Sequence, residues 1–327
     1  MNLPPFVIFL AGLVIIILGA ELLLRGATRF AVLMGMKPMI IGLTIVSLGT
    51  SMPELAVGIT AATEGKASMA IGNIAGTNIM NILFILGLSA AIRPLALDLL
   101  SIRLDVPVMI GASLVLIAMA WNGVISRLEG FILIAAAIVY LIALIKLSKR
   151  ESAANRKEYE EEFGEKALMV KKSKWAAPVN IGLLIIGIAL TILGANLLVS
   201  GAVEIATVLG VSDAIIGLTI IAIGTSAPEL ATTIVATIKN DREVAVGNLI
   251  GSSISNILVI LGITCVVAPN GVDVSRDVLW LDLPLGAAVA IACYPVFRSD
   301  KMVSRVEGSI FVGLYVVYMM TLIFLRS

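Results

Sequence analysis

The 327-residue chain has no histidine, only two cysteines, and charged side chains at just 14% of its positions. A soluble domain carries about 25% charge; here hydrophobic residues reach 59% and mean hydropathy is +1.08. Such a chain belongs in a bilayer. The missing histidine removes the usual general base and the commonest transition-metal ligand. Cys265 and Cys293 lie in apolar segments without ligand spacing and are read as small lipid- or core-facing residues. A net charge of +1 gives no electrostatic reason to expect a nucleic acid partner.

Apolar runs of about 20 residues mark membrane helices. Ten are expected, over residues 4–24, 38–62, 70–92, 106–121 (a short one), 128–147, 177–198, 213–238, 244–267, 278–296 and 307–325. The first lacks a basic n-region and is long enough to span, so it is read as a retained helix. Of the Lys and Arg residues, 19 fall in odd-numbered connections and 4 elsewhere. The positive-inside bias puts the odd connections in the cytoplasm and both termini outside. The plasma membrane is the expected location. Residues 148–176, with the run Lys157-Glu158-Tyr159-Glu160-Glu161-Glu162, read as a solvated cytoplasmic linker too short to fold alone.

The two halves align at a constant offset of 175. From Ile41 to Ala56, 12 of 16 residues equal their partners at Ile216 to Ala231, and from Ala70 to Ala90, 11 of 21 do. Five helices per half is an odd number, so the second half enters the membrane from the opposite side. The fold class expected is an all-α integral membrane protein whose ten transmembrane helices form two five-helix inverted-topology repeats. The repeats are 1–147 and 177–327, with the matched motifs at about 41–90 and 216–265.

One phrase carries the chemistry. Gly49-Thr50-Ser51-Met52-Pro53-Glu54 returns as Gly224-Thr225-Ser226-Ala227-Pro228-Glu229. Proline cannot donate a backbone hydrogen bond and crowds the carbonyl four residues back, so each phrase breaks its helix and frees backbone oxygen near the glycine. Irregular backbone at membrane depth survives only inside protein or beside a wet cavity. Hydroxyls at Thr50, Ser51, Thr225 and Ser226, freed carbonyls, and carboxylates at Glu54 and Glu229 form an all-oxygen set suited to hard cations such as Ca²⁺ and Na⁺. A buried carboxylate needs a balancing charge. With no basic residue nearby in sequence, a divalent cation, or monovalent cations or protons in its place, would supply it.

The third and eighth spans carry Gly72-Asn73, Gly76-Thr77-Asn78 and Asn81, against Gly247-Asn248, Gly251-Ser252-Ser253 and Asn256. The glycines read as helix-packing positions. Thr77, Ser252, Asn81 and Asn256 read as cation ligands or supports for the glutamates, and Asn73 and Asn248 equally as residues behind them. Glu21, matched by Asn196, breaks the symmetry; beside Arg25 it reads as snorkelling or locally ion-paired.

The twice-repeated Gly-Thr-Ser-x-Pro-Glu-Leu, followed by Gly-Asn-x-x-Gly-[Thr/Ser]-x-x-x-Asn, resembles the alpha-repeats of the Na⁺/Ca²⁺ exchanger family in the Ca²⁺:cation antiporter superfamily, in its prokaryotic form. The resemblance implies a ten-helix fold in which helices one and six slide as a gate, giving alternating access. It implies that Glu54, Glu229, Thr50 and Thr225 hold Ca²⁺ centrally. Ser51, Ser226, Thr77, Ser252 and the carbonyls of Ser47 and Ala222 would build flanking Na⁺ sites, and Asn81 and Asn256 would border the centre. Some relatives carry aspartate where this chain has Asn256. Asparagine removes a titratable group there, which argues against K⁺ dependence and leaves Na⁺ or H⁺ open as counter-ion.

The function expected is therefore antiport of Ca²⁺ against Na⁺, with Ca²⁺/H⁺ exchange as the alternative and a cation channel as the reading from another class. No enzyme activity and no cofactor are expected. The expected partners are the ions and the lipid bilayer, with no nucleic acid and no obligate protein partner.

Overall fold

Long apolar helices dominate the protein, seen in a computed structural model that describes residues 4–64, 68–154, 176–210, 220 and 222–326. In chain order they are α1 (Pro5–Leu33), α2 (Pro38–Thr50), α3 (Met52–Thr63), α4 (Ser68–Ile92), α5 (Ser101–Ala120) and α6 (Arg127–Ala154). Then follow α7 (Ala176–Val208), the short α8 (Ala222–Thr225), α9 (Ala227–Ile238), α10 (Arg242–Val267), α11 (Val278–Asp300) and α12 (Arg305–Arg326). By length and composition, eight of these can cross a membrane, and the bent pair α2–α3 makes nine among the described residues. The expected seventh span, 213–238, lies partly outside the described residues, and linker residues 155–175 lie wholly outside them. The chain is an all-helical, multi-pass integral membrane protein.

Several helices outrun their expected spans because hydropathy reports the hydrocarbon and not the helix. α1 and α7 have 29 and 33 residues, whereas about 20 cross a hydrocarbon core of about 30 Å. α6 continues past residue 147, so the linker begins as helix. The fourth span is not short: a wide helical turn, Ser101–Asp105, precedes Val106 and Pro107 and lengthens α5 toward its N-terminus.

α1 and α7 pack antiparallel along a glycine seam. Gly12 faces Leu198, Gly19 faces Thr191 and Gly26 faces Leu184; from the other side Gly187 faces Leu23, Gly194 faces Ile16 and Gly201 faces Phe9. Adding 175 to each residue of the first triplet, or subtracting it from each of their partners, yields the second set of contacts. A Cβ on Gly19 or Gly201 would lie 2.5 Å from a backbone nitrogen of the opposite helix, so any side chain there would force the helices apart.

The remaining helices are tied across the two halves. Strand β1 (Leu95–Ala96) pairs antiparallel with β4 (Met302–Val303), and β2 (Val124–Ile125) with β3 (Val272–Asp273). α6 and α12 each open on a capping box: Ser126 with Glu129, and Ser304 with Glu307, exchange side-chain and backbone hydrogen bonds. Asp105, fully buried in α5, accepts hydrogen bonds from Ser101 (2.7 Å) and from Tyr140 of α6 (2.9 Å).

Candidate functional site

The two repeated phrases form the helix breaks. Between α2 and α3, Ser51 leaves helical geometry at φ −83° and ψ 12°, and the axis turns by 44°. Between α8 and α9, Ser226 takes φ −90° and ψ 9°. The break falls on the serine, two residues before Pro53 or Pro228, because proline fits the first turn of the new helix. Glu54 and Glu229 consequently sit in the first turns of α3 and α9. Unsatisfied N–H groups and the helix dipole favour negative charge there.

Both glutamates are buried, at 1% and 0% exposure, and Glu54 lies within electrostatic reach of Glu229. Ser51 donates to Glu229 Oε1 at 2.9 Å, while Glu229 Oε2 and both oxygens of Glu54 have no hydrogen-bond partner among the described residues. Ser226 donates to Thr77 Oγ1 across 3.5 Å. No Lys or Arg is buried among the described residues.

α10 presses against α2 because Gly247 and Gly251 face Met39 and Leu43: a Cβ on either glycine would stand 2.6 Å from a carbonyl oxygen of α2. That approach brings Ser252 to the carbonyl of Ser47, its hydroxyl donating at 3.4 Å. The same carbonyl accepts the Ser51 N–H at 3.1 Å and the Thr50 hydroxyl at 3.3 Å. The expected packing role of Gly72 and Gly76 has no such counterpart among the described residues, and positions 214 and 218, their equivalents of Met39 and Leu43, lie outside them.

Asn81 and Asn256 are fully buried, each at the start of a widened helical turn, Met80–Leu86 and Asn256–Leu261. Widened turns recur at functional sites because the extra residue re-aims backbone and side chains. Both amide atoms of Asn81 and the Oδ1 of Asn256 lack hydrogen-bond partners among the described residues, whereas Asn256 Nδ2 donates to Asn78 Oδ1 at 3.0 Å. Thr225 is half-buried. Ala222 opens α8, next to a position outside the described residues. Asn73 is half-buried, whereas its counterpart Asn248 is buried and bonded.

Sequence reasoning assigned no role to Thr232 and Thr233, which bind the Asn248 amide at 2.9 and 3.3 Å. Their signal was two hydroxyls in an apolar helix where the first half has Val57 and Gly58. It also left out Lys239, which joins Arg25 in pairing with Glu21 and so links α1 to the end of α9.

Among the described residues no three His, Cys, Asp or Glu side chains converge on a metal-sized site. A bound cation would rest on two carboxylates with hydroxyl, amide and carbonyl oxygens, a ligand set for hard ions. Helices broken at membrane depth around such a cluster define a multi-pass cation transporter. The family model described as sodium/calcium exchanger protein matches residues 4–146 and 179–324. CaxA of Alkalimonas amylolytica is 36% identical over 94% of this chain and 95% of its own, and the Escherichia coli inner membrane protein YrbG is 32% identical over 97% and 96%. The solved sodium–calcium exchanger NCX_Mj superposes with a TM-score of 0.82 at 27% identity, covering 98% of this chain and 99% of that one. The chain belongs to the sodium/calcium exchanger protein family of antiporters.

Proposed function

We propose that the protein is a secondary active antiporter that exchanges Ca²⁺ for Na⁺ by alternating access. The observation that carries this reading is the pair of buried glutamates, in mutual electrostatic reach, with three of four carboxylate oxygens unpartnered among the described residues and no buried Lys or Arg among them. Two negative charges in such a place demand a cation, and an ion that leaves must be replaced. Ca²⁺ would lie between Glu54 and Glu229, with Thr50 and Thr225 as further ligands and Asn81 and Asn256 at its border. Na⁺ would use the flanking positions: Ser51, Ser252 and the Ser47 carbonyl on one side, Ser226, Thr77 and the Ala222 carbonyl on the other. The 2.9 Å Ser51–Glu229 and 3.4 Å Ser252–Ser47 contacts support the first grouping, and the 3.5 Å Ser226–Thr77 contact the second.

The ten helices would form two five-helix repeats of opposite topology, residues 1–147 and 177–327, joined by the cytoplasmic linker 148–176, with both termini outside. The α1–α7 contacts, which map onto themselves at an offset of 175, support this, as do the two family-model matches beginning at residues 4 and 179. Stitched together at six glycines, α1 and α7 would move as one gate over the site. Proton exchange is the second reading, favoured by the same carboxylates, which would each take a proton when Ca²⁺ departs. Calorimetric titration of the purified chain with Ca²⁺ tests the first reading: affinity should fall steeply as choline is replaced by Na⁺ at constant ionic strength and pH. Affinity that is indifferent to Na⁺ and follows pH alone would favour proton exchange.

A further inference from the structure

Asn248 sits one helical turn before Ser252 on α10, is 1% exposed, and uses every polar atom of its side chain. Its Oδ1 accepts from Thr50 Oγ1 at 3.2 Å, and its Nδ2 donates to Thr232 Oγ1 at 2.9 Å and to Thr233 Oγ1 at 3.3 Å. Thr232 in turn donates its own hydroxyl to the carbonyls of Pro228 (2.8 Å) and Glu229 (3.1 Å). The row therefore has one direction: Thr50 hydroxyl, Asn248 amide, Thr232 hydroxyl, then the backbone beside Glu229. It crosses α10 to join the broken helix of the first half to that of the second.

An amide held at both nitrogen hydrogens cannot flip. With Nδ2 committed to two threonines, Oδ1 must face Thr50. The Thr50 proton then lies between two acceptors, Asn248 Oδ1 at 3.2 Å and its own helix's Ser47 carbonyl at 3.3 Å, and the hydroxyl's lone pairs are left for another partner. In the other half the positions matching Thr232 and Thr233 are Val57 and Gly58, and Asn73 is half-buried.

We propose that Asn248, clamped by Thr232 and Thr233, is a positioning residue that orients the Thr50 hydroxyl as a cation acceptor. The inference rests on the reading of Thr50 as a Ca²⁺ ligand, and the test separates the two.

The experiment measures Ca²⁺ affinity by calorimetry on the full chain for wild type, Thr50→Val, Thr232→Val, Thr232→Ser and the double variant Thr50→Val/Thr232→Val. Losing one such hydrogen bond should weaken Ca²⁺ binding about fivefold in Thr232→Val, while Thr232→Ser, which keeps the acceptor, should stay near wild type. In the Thr50→Val background, Thr232→Val should add no further loss, since no hydroxyl remains to orient. A loss that persists undiminished in that background marks a merely structural threonine and overturns the proposal, as does wild-type affinity in Thr232→Val. Wild-type affinity in Thr50→Val overturns the ligand assignment beneath it. Should Thr232→Val not fold, Thr233→Ala enters the same cycle, with a smaller loss of the same sign expected and an unchanged affinity counting against the clamp.

Discussion

Ser51, the residue at which the α2–α3 span breaks, donates a 2.9 Å hydrogen bond to Glu229, 178 positions away in the chain. The serine of one repeated phrase thus touches the glutamate of the other. The two phrases, far apart in sequence, meet in the folded protein.

Substitutions at the glutamates follow directly. Glu54→Gln and Glu229→Gln are isosteric, remove one buried charge each, and leave packing untouched. Each should abolish Na⁺-driven ⁴⁵Ca²⁺ uptake while the detergent-purified protein elutes as a single species with thermal stability at or above wild type, since the buried repulsion is relieved. Normal uptake in either variant would remove that glutamate from the central site.

The α1–α7 seam makes a stability prediction. A Cβ on Gly194 would stand 2.7 Å from the Cα of Ile16, with backbone and side-chain atoms of the same residue around it. Gly194→Val should therefore cost at least about 1–3 kcal/mol by overpacking, lowering the melting temperature or preventing accumulation of folded protein. Gly182→Ala, on the same helix with no neighbouring atom within 4 Å among the described residues, should be neutral or slightly stabilising. Equal melting temperatures for the two variants would show that the seam does not hold the pair together.

The orientation drawn from Lys and Arg is open to labelling. Cys265 and Cys293 are fully buried and give a quiet background. A cysteine at exposed Asn122, between α5 and α6, should react with an impermeant maleimide on intact cells, and one at exposed Ser299, near the end of α11, only after permeabilisation. The reverse pattern would invert the assigned topology.

The features legible in the sequence were those whose chemistry is local. Pro53 beside Glu54 announces a helix break and a buried charge, and repetition at Pro228 and Glu229 announces a pair. The position of each break was less legible. Pro53 points to freed backbone oxygen near Gly49, whereas the turn of the chain itself falls at Ser51, because Pro53 is accommodated as the start of α3. The widened turns at Asn81 and Asn256 follow from no residue preference, since they depend on how α4 and α10 pack. The clamp on Asn248 depends on which face α9 turns to α10, and periodicity alone does not fix that between two apolar helices. Glu21 illustrates both cases: Arg25, one turn away, was predictable as a partner, whereas Lys239 is brought in by the fold.

The most direct test of the whole account is ⁴⁵Ca²⁺ uptake into proteoliposomes loaded with Na⁺ and diluted into Na⁺-free medium, at equal pH inside and out. The outward Na⁺ gradient should drive Ca²⁺ accumulation that vanishes when choline replaces internal Na⁺ and that a pH gradient alone does not reproduce. Uptake driven by a pH gradient and indifferent to Na⁺, or absent under both gradients, would contradict Ca²⁺/Na⁺ exchange.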